Sequence, residues 1–503
     1  MGIKFGRLSF KFLVFGFLLV LFLSCNGKPG TEFPQNHLSQ NKIVTYDEMT
    51  TVLKRLSEKE NIVLESAGKS IENRDLWLLN IKPDNLVENP LKVFLFAQQH
   101  GNEPAGKEAI IWLAKYLADN PDLMDHNIDL WLMPMVNPDG AEKKQRRNAS
   151  GADLNRDHLL LSQPETQTLY QVWHKIQPHL TVDCHEFNRT SQSILDKGLE
   201  EWPLIMMDCG GNPLIDGPFY DFGVMTLNLM KGPLKKTGYN FCRYYLGGMP
   251  PHEENRFSTL EGDDARNGMA LLNSLSFIIE SGVMGNVENP AFDLGKRVDA
   301  YLIIFKELLN NRGFIFGAKK LFRSPYDCPV FLPTNYFWGK IDDSIDTVMF
   351  FKEGKDHAVP TGNFMKTRII KSSVKMPDFY IIPASKCEVF EELFIRHKIE
   401  FVKLEQDSEF NVESVKLLRI ETQYDDVYNR YEGRQITELM KTEKKFFQKG
   451  SILVDPHQNE YWKKVFYLLE PCNFYGLYGY DDFSRLIEQE ILPVFRGFFE
   501  ATG

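Results

Sequence analysis

The stretch "LKVFLFAQQHGNEPAGKEAIIWLAKYLAD", residues 91–119, decides the fold. It opens with a short apolar run, residues 91–97, of the kind that forms a strand buried on both faces. Residues 105–119 then repeat apolar side chains with the spacing of an amphipathic helix. A buried strand followed at once by such a helix is typical of α/β proteins with a parallel sheet.

The same alternation continues along the chain to about residue 311. Strand-like runs are found at 128–136 and 179–185, helical runs at 164–176 and 293–311, and a helix that leads into a strand at 268–281. We therefore predict an α/β domain over residues 41–315, with a mixed, mostly parallel sheet sandwiched by helices.

The pattern changes from about residue 325. Short strand-like runs such as "DFYIIPA" and "GSILVDP" now dominate, with helical stretches at 388–397 and 459–469. We predict a second, C-terminal domain of mixed α and β structure (α+β) over residues 325–503, and the sequence does not indicate its role.

Three of the four predicted strands of the first domain deliver side chains that can carry chemistry. His100 and Glu103 come directly after the strand at 91–97, His185 ends the strand at 179–185, and Glu280 ends the last strand. Ligands of open parallel sheets bind beyond the carboxyl ends of the strands. We therefore expect these four side chains to meet at one edge of the sheet.

The pattern His-x-x-Glu occurs three times, and the position in the fold separates the pairs. Besides His100 and Glu103 it is found at residues 397–400 and 457–460. Neither of those two pairs follows a buried strand, so we interpret them as structural or surface residues.

Two histidines and one glutamate form a ligand set that catalytic zinc uses, with the fourth position left for water. His100, Glu103 and His185 supply this set, which predicts one Zn²⁺ per chain. Zinc lowers the pKa of its bound water and polarises a carbonyl group. A further carboxylate must accept the proton of that water, and Glu280 is placed to act as this base.

The segment "VNPDGAEKKQRRNASGADLNRD", residues 136–157, adds a basic stretch beside the predicted site. It contains Arg146, Arg147 and Arg156, with Asn155 next to the last of them. The fork of a guanidinium group suits a terminal carboxylate or a developing oxyanion.

Five motifs in this order resemble the zinc carboxypeptidases of the carboxypeptidase A type, the M14 metallopeptidases. They are "HGNE", "NPDG", "RRNASGADLNR", "DCHE" and "FIIES", and they span residues 100–281. The resemblance implies the zinc carboxypeptidase fold, with His100, Glu103 and His185 as zinc ligands and Glu280 as the general base.

The resemblance also implies roles for the polar segment. Arg147, with Arg146 as the alternative, corresponds to the arginine that polarises the scissile carbonyl. Asn155 and Arg156 correspond to the pair that binds the terminal carboxylate of the substrate.

The chain departs from the family before the last motif. The family usually has a tyrosine not far before the catalytic glutamate, but none lies between Tyr245 and Tyr301. We therefore predict a different terminal-residue pocket, which Arg266 and Asp263 shape.

Two acids next to His185 have open roles at this point. Asp183 lies on the same side of its strand as His185, where it either supports that ligand or simply packs. Glu186 is interpreted as an exposed or capping charge.

The first 24 residues have the pattern of a signal peptide, with a basic head and an apolar run from Phe12 to Leu23. This run is shorter than the about 20 residues that a membrane-spanning helix needs. Ser24 and Cys25 resemble a bacterial lipobox, which predicts that Cys25 is lipidated and that residues 25–40 form a flexible tether. The alternative is a plain signal peptide with an incidental cysteine. The lipid anchor predicts an exported protein, bound to a membrane of a bacterial cell envelope.

Charge and cysteine content limit the remaining possibilities. A net charge of −10 gives no basic excess to meet phosphates, which argues against a nucleic-acid partner. The cysteines after Cys25 are sparse and show no C-x-x-C spacing, and Cys209 with Cys242 is the one disulfide that we consider.

Three functions are compatible with these features. The first is an exported zinc metallopeptidase that hydrolyses the amide bond of a C-terminal amino acid, through a zinc-bound water and a glutamate base. The second is a zinc amide deacylase or a cell-wall peptide hydrolase, with a peptide-like amide as substrate. The third is a catalytically inactive, ligand-binding lipoprotein, which would not need Glu280.

Overall fold

The structure is a computed structural model that describes residues 42–283, 293–322, 330–425, 430–457, 461–470 and 476–499, and the side chains of 419–436 are outside that description. The predicted signal peptide, the tether and Cys25 therefore lie outside the described residues. Among these residues no helix is both long and apolar enough to cross a membrane.

An eight-stranded sheet forms the centre of the residues that the structure describes between 42 and 322. The strands of this part are β1 Ile62–Lys69, β2 Asp75–Ile81, β3 Leu91–Ala97, β4 Ile128–Met133, β5 Leu180–Asn188, β6 Ile205–Cys209, β7 Phe241–Arg243, β8 Tyr245–Gly247, β9 Asn255–Phe257 and β10 Leu275–Val283. The order in the sheet is β1-β2-β4-β3-β5-β10-β6-β7, while β8 and β9 pair outside it. Strands β4, β3, β5 and β10 run parallel to their neighbours within that group, and β6 and β7 are parallel to each other. The predicted mixed, mostly parallel sheet is confirmed.

Helices cover both faces of this sheet. They are α1 Tyr46–Leu56, α2 Ala105–Asp119, α3 Pro138–Glu142, α4 Pro164–Ile176, α5 Gln192–Leu195, α6 Gly217–Lys236, α7 Ala265–Ala270, α8 Leu294–Asn310 and α9 Arg312–Leu321. Buried side chains of α1, α2, α6, α8 and α9 form one apolar core with the sheet, and those of α4 and α7 form another. The helices predicted at 105–119 and 164–176 have the predicted bounds.

The junction of β3, α2 and β5 is tight because glycine and cysteine meet there. Pro104 is the N-cap of α2, where its missing N–H costs nothing. A Cβ on Gly106, in the first turn of α2, would lie 2.4 Å from the Cβ of Cys184 on β5. The small glycine therefore lets the start of α2 rest directly on the strand that carries His185.

The remaining residues form a β-rich region. Its elements are β11 Phe331–Gly339, β12 Asp346–Lys352, β13 Lys355–Thr361, β14 Phe364–Met365, β15 Thr367–Lys375, β16 Phe379–Ile382, α10 Cys387–His397, β17 Val402–Lys403, β18 Ser408–Glu413, β19 Val415–Asp425, β20 Arg430–Leu439, β21 Glu443–Phe447, β22 Ile452–Val454, α11 Trp462–Leu469, α12 Asp481–Ser484 and β23 Phe495–Gly497. A six-stranded antiparallel sheet, in the order β17-β22-β16-β23-β18-β21, packs with α10 and α11. The predicted mixed α and β character of this region is confirmed.

The two parts of the chain share a core. Leu159, Leu214 and Leu271 of the first part are buried in the apolar cluster of the C-terminal region. Strand β14 also pairs in parallel with β9. Helix α9 packs in the core of the first part and extends that core past residue 315. The predicted domain boundary between residues 315 and 325 stays a prediction.

The disulfide considered from the sequence is wrong, because Cys209 and Cys242 are both free. Cys209 is buried in the main core under Gly223 of α6, whereas Cys242 packs in a different cluster with Met206 and Tyr245. The two side chains therefore lie in separate apolar clusters of the fold.

Candidate metal centre and substrate pocket

Three buried side chains at the carboxyl edge of the central sheet form a candidate metal centre. His100 and Glu103 lie in the loop after β3, and His185 lies on the adjacent strand β5. One ligand atom from each lies within 4.8 Å of the others. The two histidine Nδ1 atoms are 3.0 Å apart, and Glu103 approaches them at 2.8 and 3.0 Å. The predicted meeting of these three residues is confirmed.

The donor set fits a zinc ion chemically and in size. Two imidazole nitrogens that face each other and a carboxylate are ligands that zinc prefers. Tetrahedral bonds of about 2.1 Å would separate such ligand atoms by about 3.4 Å, roughly half an ångström more than the distances above. Small movements of the side chains would therefore accommodate the ion.

Buried carboxylates hold the outer nitrogen of each histidine. Asp153 Oδ1 lies 3.1 Å from His100 Nε2, and Asp183 Oδ2 lies 2.8 Å from His185 Nε2. Gln99 donates to Asp183 at 2.8 Å. Such contacts fix the ring orientation and leave each Nδ1 for a metal. Asp183 therefore supports His185, and Asp153 is a residue that the sequence analysis did not single out, although it lies within the quoted motif.

The centre is rich in negative charge, which favours a cation. Burial alone would raise the pKa of Glu103, but His100 and His185 outweigh it and hold the pKa well below its ordinary value. The same balance, with His100 and Arg146 opposing burial, keeps the pKa of Asp153 well below its ordinary value. Both carboxylates are thus ionised at neutral pH.

Glu280 lies on β10 next to His185 on β5, and the two are direct partners in the parallel register. Its side chain is buried, and Oε2 has no hydrogen-bond partner within the described chain. Burial, opposed by His185, raises the pKa of Glu280 to about 8. A divalent cation held by the three ligands would favour the ionised carboxylate.

Of the two arginines considered from the sequence, Arg146 faces the centre, and the catalytic role of either one stays a prediction. Arg146 Nη1 lies 3.1 Å from His100 Nδ1 and 3.5 Å from Glu103, and Nε donates to Asp153 at 2.9 Å. Arg147 is directed to the outer side, where Nη1 donates to the carbonyl of Gly151. Of the two, Arg146 is among the residues that line the cavity beside the centre.

A cavity of about 280 Å³ opens beside the centre, and Asn155 and Arg156 line it. The Asn155 amide is already engaged, because its oxygen accepts from Ala265 N at 2.9 Å and its nitrogen lies 3.2 Å from His185 Nε2. Arg156 donates to the carbonyl of Asn155 at 2.6 Å and lies 4.0 Å from Asp263. Arg156 is therefore oriented by its surroundings towards the cavity.

A tyrosine does line the cavity, which the sequence analysis did not expect. Tyr244 follows β7 and contributes to the wall together with Leu246 and Thr259. It precedes the segment in which a tyrosine was sought, so its position became evident only from the fold. The predicted pocket residue Arg266 also lines the cavity, and it donates to Thr259 O at 2.7 Å and to Asp264 at 3.0 Å.

Glu186, interpreted from the sequence as an exposed or capping charge, is buried and forms an ion pair with Arg297 at 2.7 Å. It also accepts from Ala105 N at 2.5 Å, so it caps the start of α2. Burial, opposed by Arg297, raises the pKa of Glu186 to about 7. The pair ties β5, α2 and α8 together beneath the centre.

Comparison with known proteins agrees with this geometry. Residues 49–196 match the family model described as zinc carboxypeptidase. This segment is similar to the zinc carboxypeptidases of the M14 family, which the five sequence motifs also resemble. It contains the three candidate metal ligands and the Asn155–Arg156 pair, while Glu280 and Tyr244 lie beyond the matched residues.

Curated relatives are 29–36% identical to this chain over short stretches. Carboxypeptidase 2 of Trichophyton rubrum is 36% identical over 131 residues, which cover 24% of this chain and 24% of that protein. Carboxypeptidase D of Homo sapiens is 35% identical over 167 residues, 28% of this chain and 12% of that protein. The chain spans about a third or less of the length of the first curated relatives it matches.

Solved structures of similar proteins cover more of the chain at lower identity. The metallo-carboxypeptidase from Pseudomonas aeruginosa is 22% identical with a TM-score of 0.39 and covers 53% of this chain and 69% of its own. Carboxypeptidase A from Helicoverpa armigera is 18% identical with a TM-score of 0.37 and covers 59% and 80%.

Proposed function

We propose that the protein is a zinc-dependent metallocarboxypeptidase, which hydrolyses the last amide bond of a peptide. The observation that carries the proposal is the shared location of two groups. The His100–Glu103–His185 centre and the Arg156 guanidinium open onto one cavity, with Glu280 in its wall. An amide bond near the centre and a terminal carboxylate near Arg156 are the substrate features that this arrangement suits.

Zinc bound by the three ligands would supply a water of lowered pKa and polarise the scissile carbonyl. Glu280 accepts the proton of the attacking water and passes it to the leaving amine. Arg146 stabilises the negative charge that develops on the carbonyl oxygen. Asp153 and Asp183 keep the imidazoles of His100 and His185 oriented throughout.

The remaining cavity residues orient the substrate. Arg156 binds the terminal carboxylate as a guanidinium fork. Asn155, whose amide contacts His185 and Ala265, holds the segment of Arg156 against the centre. Tyr244 and Leu246 contact the terminal side chain and limit the access of water.

Mass spectrometry of matched peptides tests this function. The purified protein is incubated with peptides that have either a free or an amidated C-terminus, with and without a chelator. We expect the loss of one C-terminal residue from the free peptides only, its suppression by the chelator and its recovery with added zinc. Release of an N-acyl group, or cleavage only of cell-wall peptides, would favour the amide deacylase or cell-wall hydrolase instead. Absence of all hydrolysis by a zinc-loaded protein would favour a binding protein.

We also propose that the protein is exported and anchored by lipid at Cys25, on the basis of the N-terminal sequence pattern alone. Replacement of Cys25 by Ala in full-length protein, expressed in a bacterial host, should move it from the membrane fraction to the soluble fraction. Unchanged partition of Cys25→Ala would contradict the anchor without affecting the enzymatic proposal.

A further inference from the structure

Helix α11 of the C-terminal region is wholly buried. It contacts two loops of the first part of the chain, residues 42–322, which is called the catalytic part below. One loop, residues 154–162, begins with the Asn155–Arg156 pair. The other, residues 258–264, contributes Ser258, Thr259 and Asp264 to the cavity wall. The contacts are hydrogen bonds to backbone groups of these loops, and they decide where the loops lie.

Lys464 on α11 holds the first loop. Its side chain is fully buried, and Nζ donates to the carbonyl of His158 at 2.9 Å. His158 is two residues beyond Arg156, and its ring lies 2.8 Å from the Gln99 side chain. Because Gln99 also donates to Asp183, the contact of Lys464 is connected with the carboxylate that supports His185.

Tyr467, one turn further along α11, holds the second loop. Its hydroxyl accepts from Gly262 N at 2.7 Å. A Cβ at residue 262 would lie 2.8 Å from the tyrosine ring, so the glycine lets the loop lie directly on the ring. The next residue, Asp263, accepts from His158 N through its carbonyl and faces Arg156 through its carboxylate. The two loops are thus joined to each other and to α11.

Two other side chains of the C-terminal region add to this support. His397, at the end of α10, lies with Nε2 2.8 Å from the carbonyl of Leu159. Trp338 on β11 donates to the carbonyl of Ser258 at 2.7 Å. Both side chains are buried, and each contacts the backbone of a loop that lines the cavity or leads away from it.

We propose that Lys464 and Tyr467 are positioning residues for substrate binding, and that the C-terminal region completes the substrate pocket. The proposal deepens the proposed function, on which it rests. In this proposal the C-terminal region holds Arg156 and the loop 258–264 in place. Their distance from the metal centre then matches the length of the terminal residue of the substrate.

The chemistry of Lys464 sets this contact apart from ordinary core packing. A buried amine is costly unless it satisfies a hydrogen bond, so an interface that needed only cohesion would have an apolar side chain there. Burial, opposed by Asp263 and Asp264, lowers the pKa of Lys464 to about 7. Burial of the Lys464 side chain therefore costs free energy. The group that this side chain contacts is the loop that carries Arg156.

The test compares Lys464→Met with Lys463→Met in the full-length, zinc-loaded protein. Lys463 is the adjacent residue on α11 and is also buried, and it pairs with Asp216 at 2.6 Å. We expect about 10-fold faster amide hydrogen exchange in residues 154–162 for Lys464→Met, because one buried hydrogen bond is lost. The Lys463→Met variant should leave exchange in both loops unchanged.

Kinetics supply a second readout that a purely structural role would not move. Lys464→Met should raise KM by about 10-fold while kcat changes by less than about threefold, since the chemical groups stay in place. Zinc content should equal that of the unaltered protein. Tyr467→Phe, a milder change, should increase exchange at 258–264 and raise KM in the same direction.

The outcomes separate this proposal from the function itself. Unchanged exchange and KM in both Lys464→Met and Tyr467→Phe would overturn the positioning role. If Lys464→Met does not fold, Tyr467→Phe decides alone. If the unaltered protein cleaves no peptide, the enzymatic proposal fails, and the exchange of the two loops still decides whether α11 holds them.

Discussion

Arg146 and Arg147 are neighbours in the sequence but lie in different surroundings. The main chain at Arg146 is held by Gly101 N and by the amide of Asn137, which bond to its carbonyl. These contacts come from two other motifs and turn the Arg146 side chain towards the centre. A basic run without regular secondary structure contains no period from which that direction could be predicted.

The two arginines therefore make a matched pair of variants. Arg146→Ala should lower kcat/KM by about 10²-fold, because a donor to the developing oxyanion is lost. Arg147→Ala should change kcat/KM by less than about twofold, as expected for a side chain away from the site. Steady-state kinetics on one peptide measures both, and an equal loss in the two variants would contradict the assignment.

Glu280→Gln should keep zinc and lose nearly all hydrolysis. Gln preserves the shape of the side chain but cannot accept the proton of water, so kcat should fall by roughly 10²–10⁴-fold. KM should change little, since the carboxylate acts mainly in the transition state. Turnover, zinc content and thermal melting are measured together. Turnover like that of the unaltered protein would place the base elsewhere, and Glu186 would be the next residue to replace.

The candidate site was partly predictable at the level of residues. His100 and Glu103 follow a buried strand, and His185 and Glu280 lie near the ends of two others, so their meeting could be derived from the order of the strands. The position of Tyr244 could not be derived, because it follows a short strand at the sheet edge.

Among the structural elements, the "HGNE" and "NPDG" loops cross at their glycines. A Cβ on Gly101 would lie 2.1 Å from the carbonyl carbon of Gly140. Asn137 caps α3 by accepting from Gly140 N, and its amide nitrogen donates to the carbonyl of Gln99. The "NPDG" motif therefore supports the ligand loop.

Gly101→Ala should be strongly destabilising, because the new methyl group meets backbone atoms that cannot move independently. We expect the free energy of unfolding to fall by about 3 kcal/mol. Gly479→Ala is the control, because open space surrounds that exposed glycine, and its effect should stay within about 0.5 kcal/mol. Denaturant unfolding measures both, and equal stability of the two variants would contradict the close crossing.

Elements with a clear apolar period were predictable, and elements without one were not, whatever their length. Strand β3 and helices α2 and α4 have the predicted bounds because each carries a clear apolar period. The paired strands β11 to β15 were missed, since several of their apolar side chains are exposed, such as Phe331, Phe337 and Ile370. Apolar residues therefore do not mark the buried face of these strands. Because tertiary contacts decide which side chains are buried there, the strands cannot be detected from a single sequence.

At the scale of the whole molecule, the C-terminal region shares its core with the catalytic part. Leu159 and Leu271 enter that core, and Lys464 and His397 bond to the 154–162 loop. The sequence showed a change of pattern near residue 325. It did not show that the two parts pack together, because no motif marks these contacts. Stability of the two parts should consequently be coupled.

Lys464 makes this coupling depend on pH. The pKa of Lys464 is about 7 in the folded protein and 10.5 ordinarily. Between these two pH values, Lys464 is protonated in the unfolded chain and deprotonated in the folded protein. Stability should therefore rise with pH across this window, by up to about 1.4 kcal/mol per unit, and be flat below it. The facing groups are Asp263, Asp264, His158 and His397, and burial keeps the pKa of both histidines well below the window.

Urea unfolding from pH 6 to 10 measures this effect as the difference between the unaltered protein and Lys464→Met. Other titrating groups are common to both and cancel in the difference. A difference that stays constant across the whole range would show that Lys464 does not titrate in the folded state.

The zinc content of three purified proteins tests the central claim most directly. Elemental analysis should find about one zinc ion per chain in the unaltered protein and in Glu280→Gln, because the three ligands are intact in both. The double variant His100→Ala, His185→Ala should contain none, since Glu103 alone cannot hold the ion. Unaltered zinc in that double variant would contradict the account, because the metal would then be bound at another site.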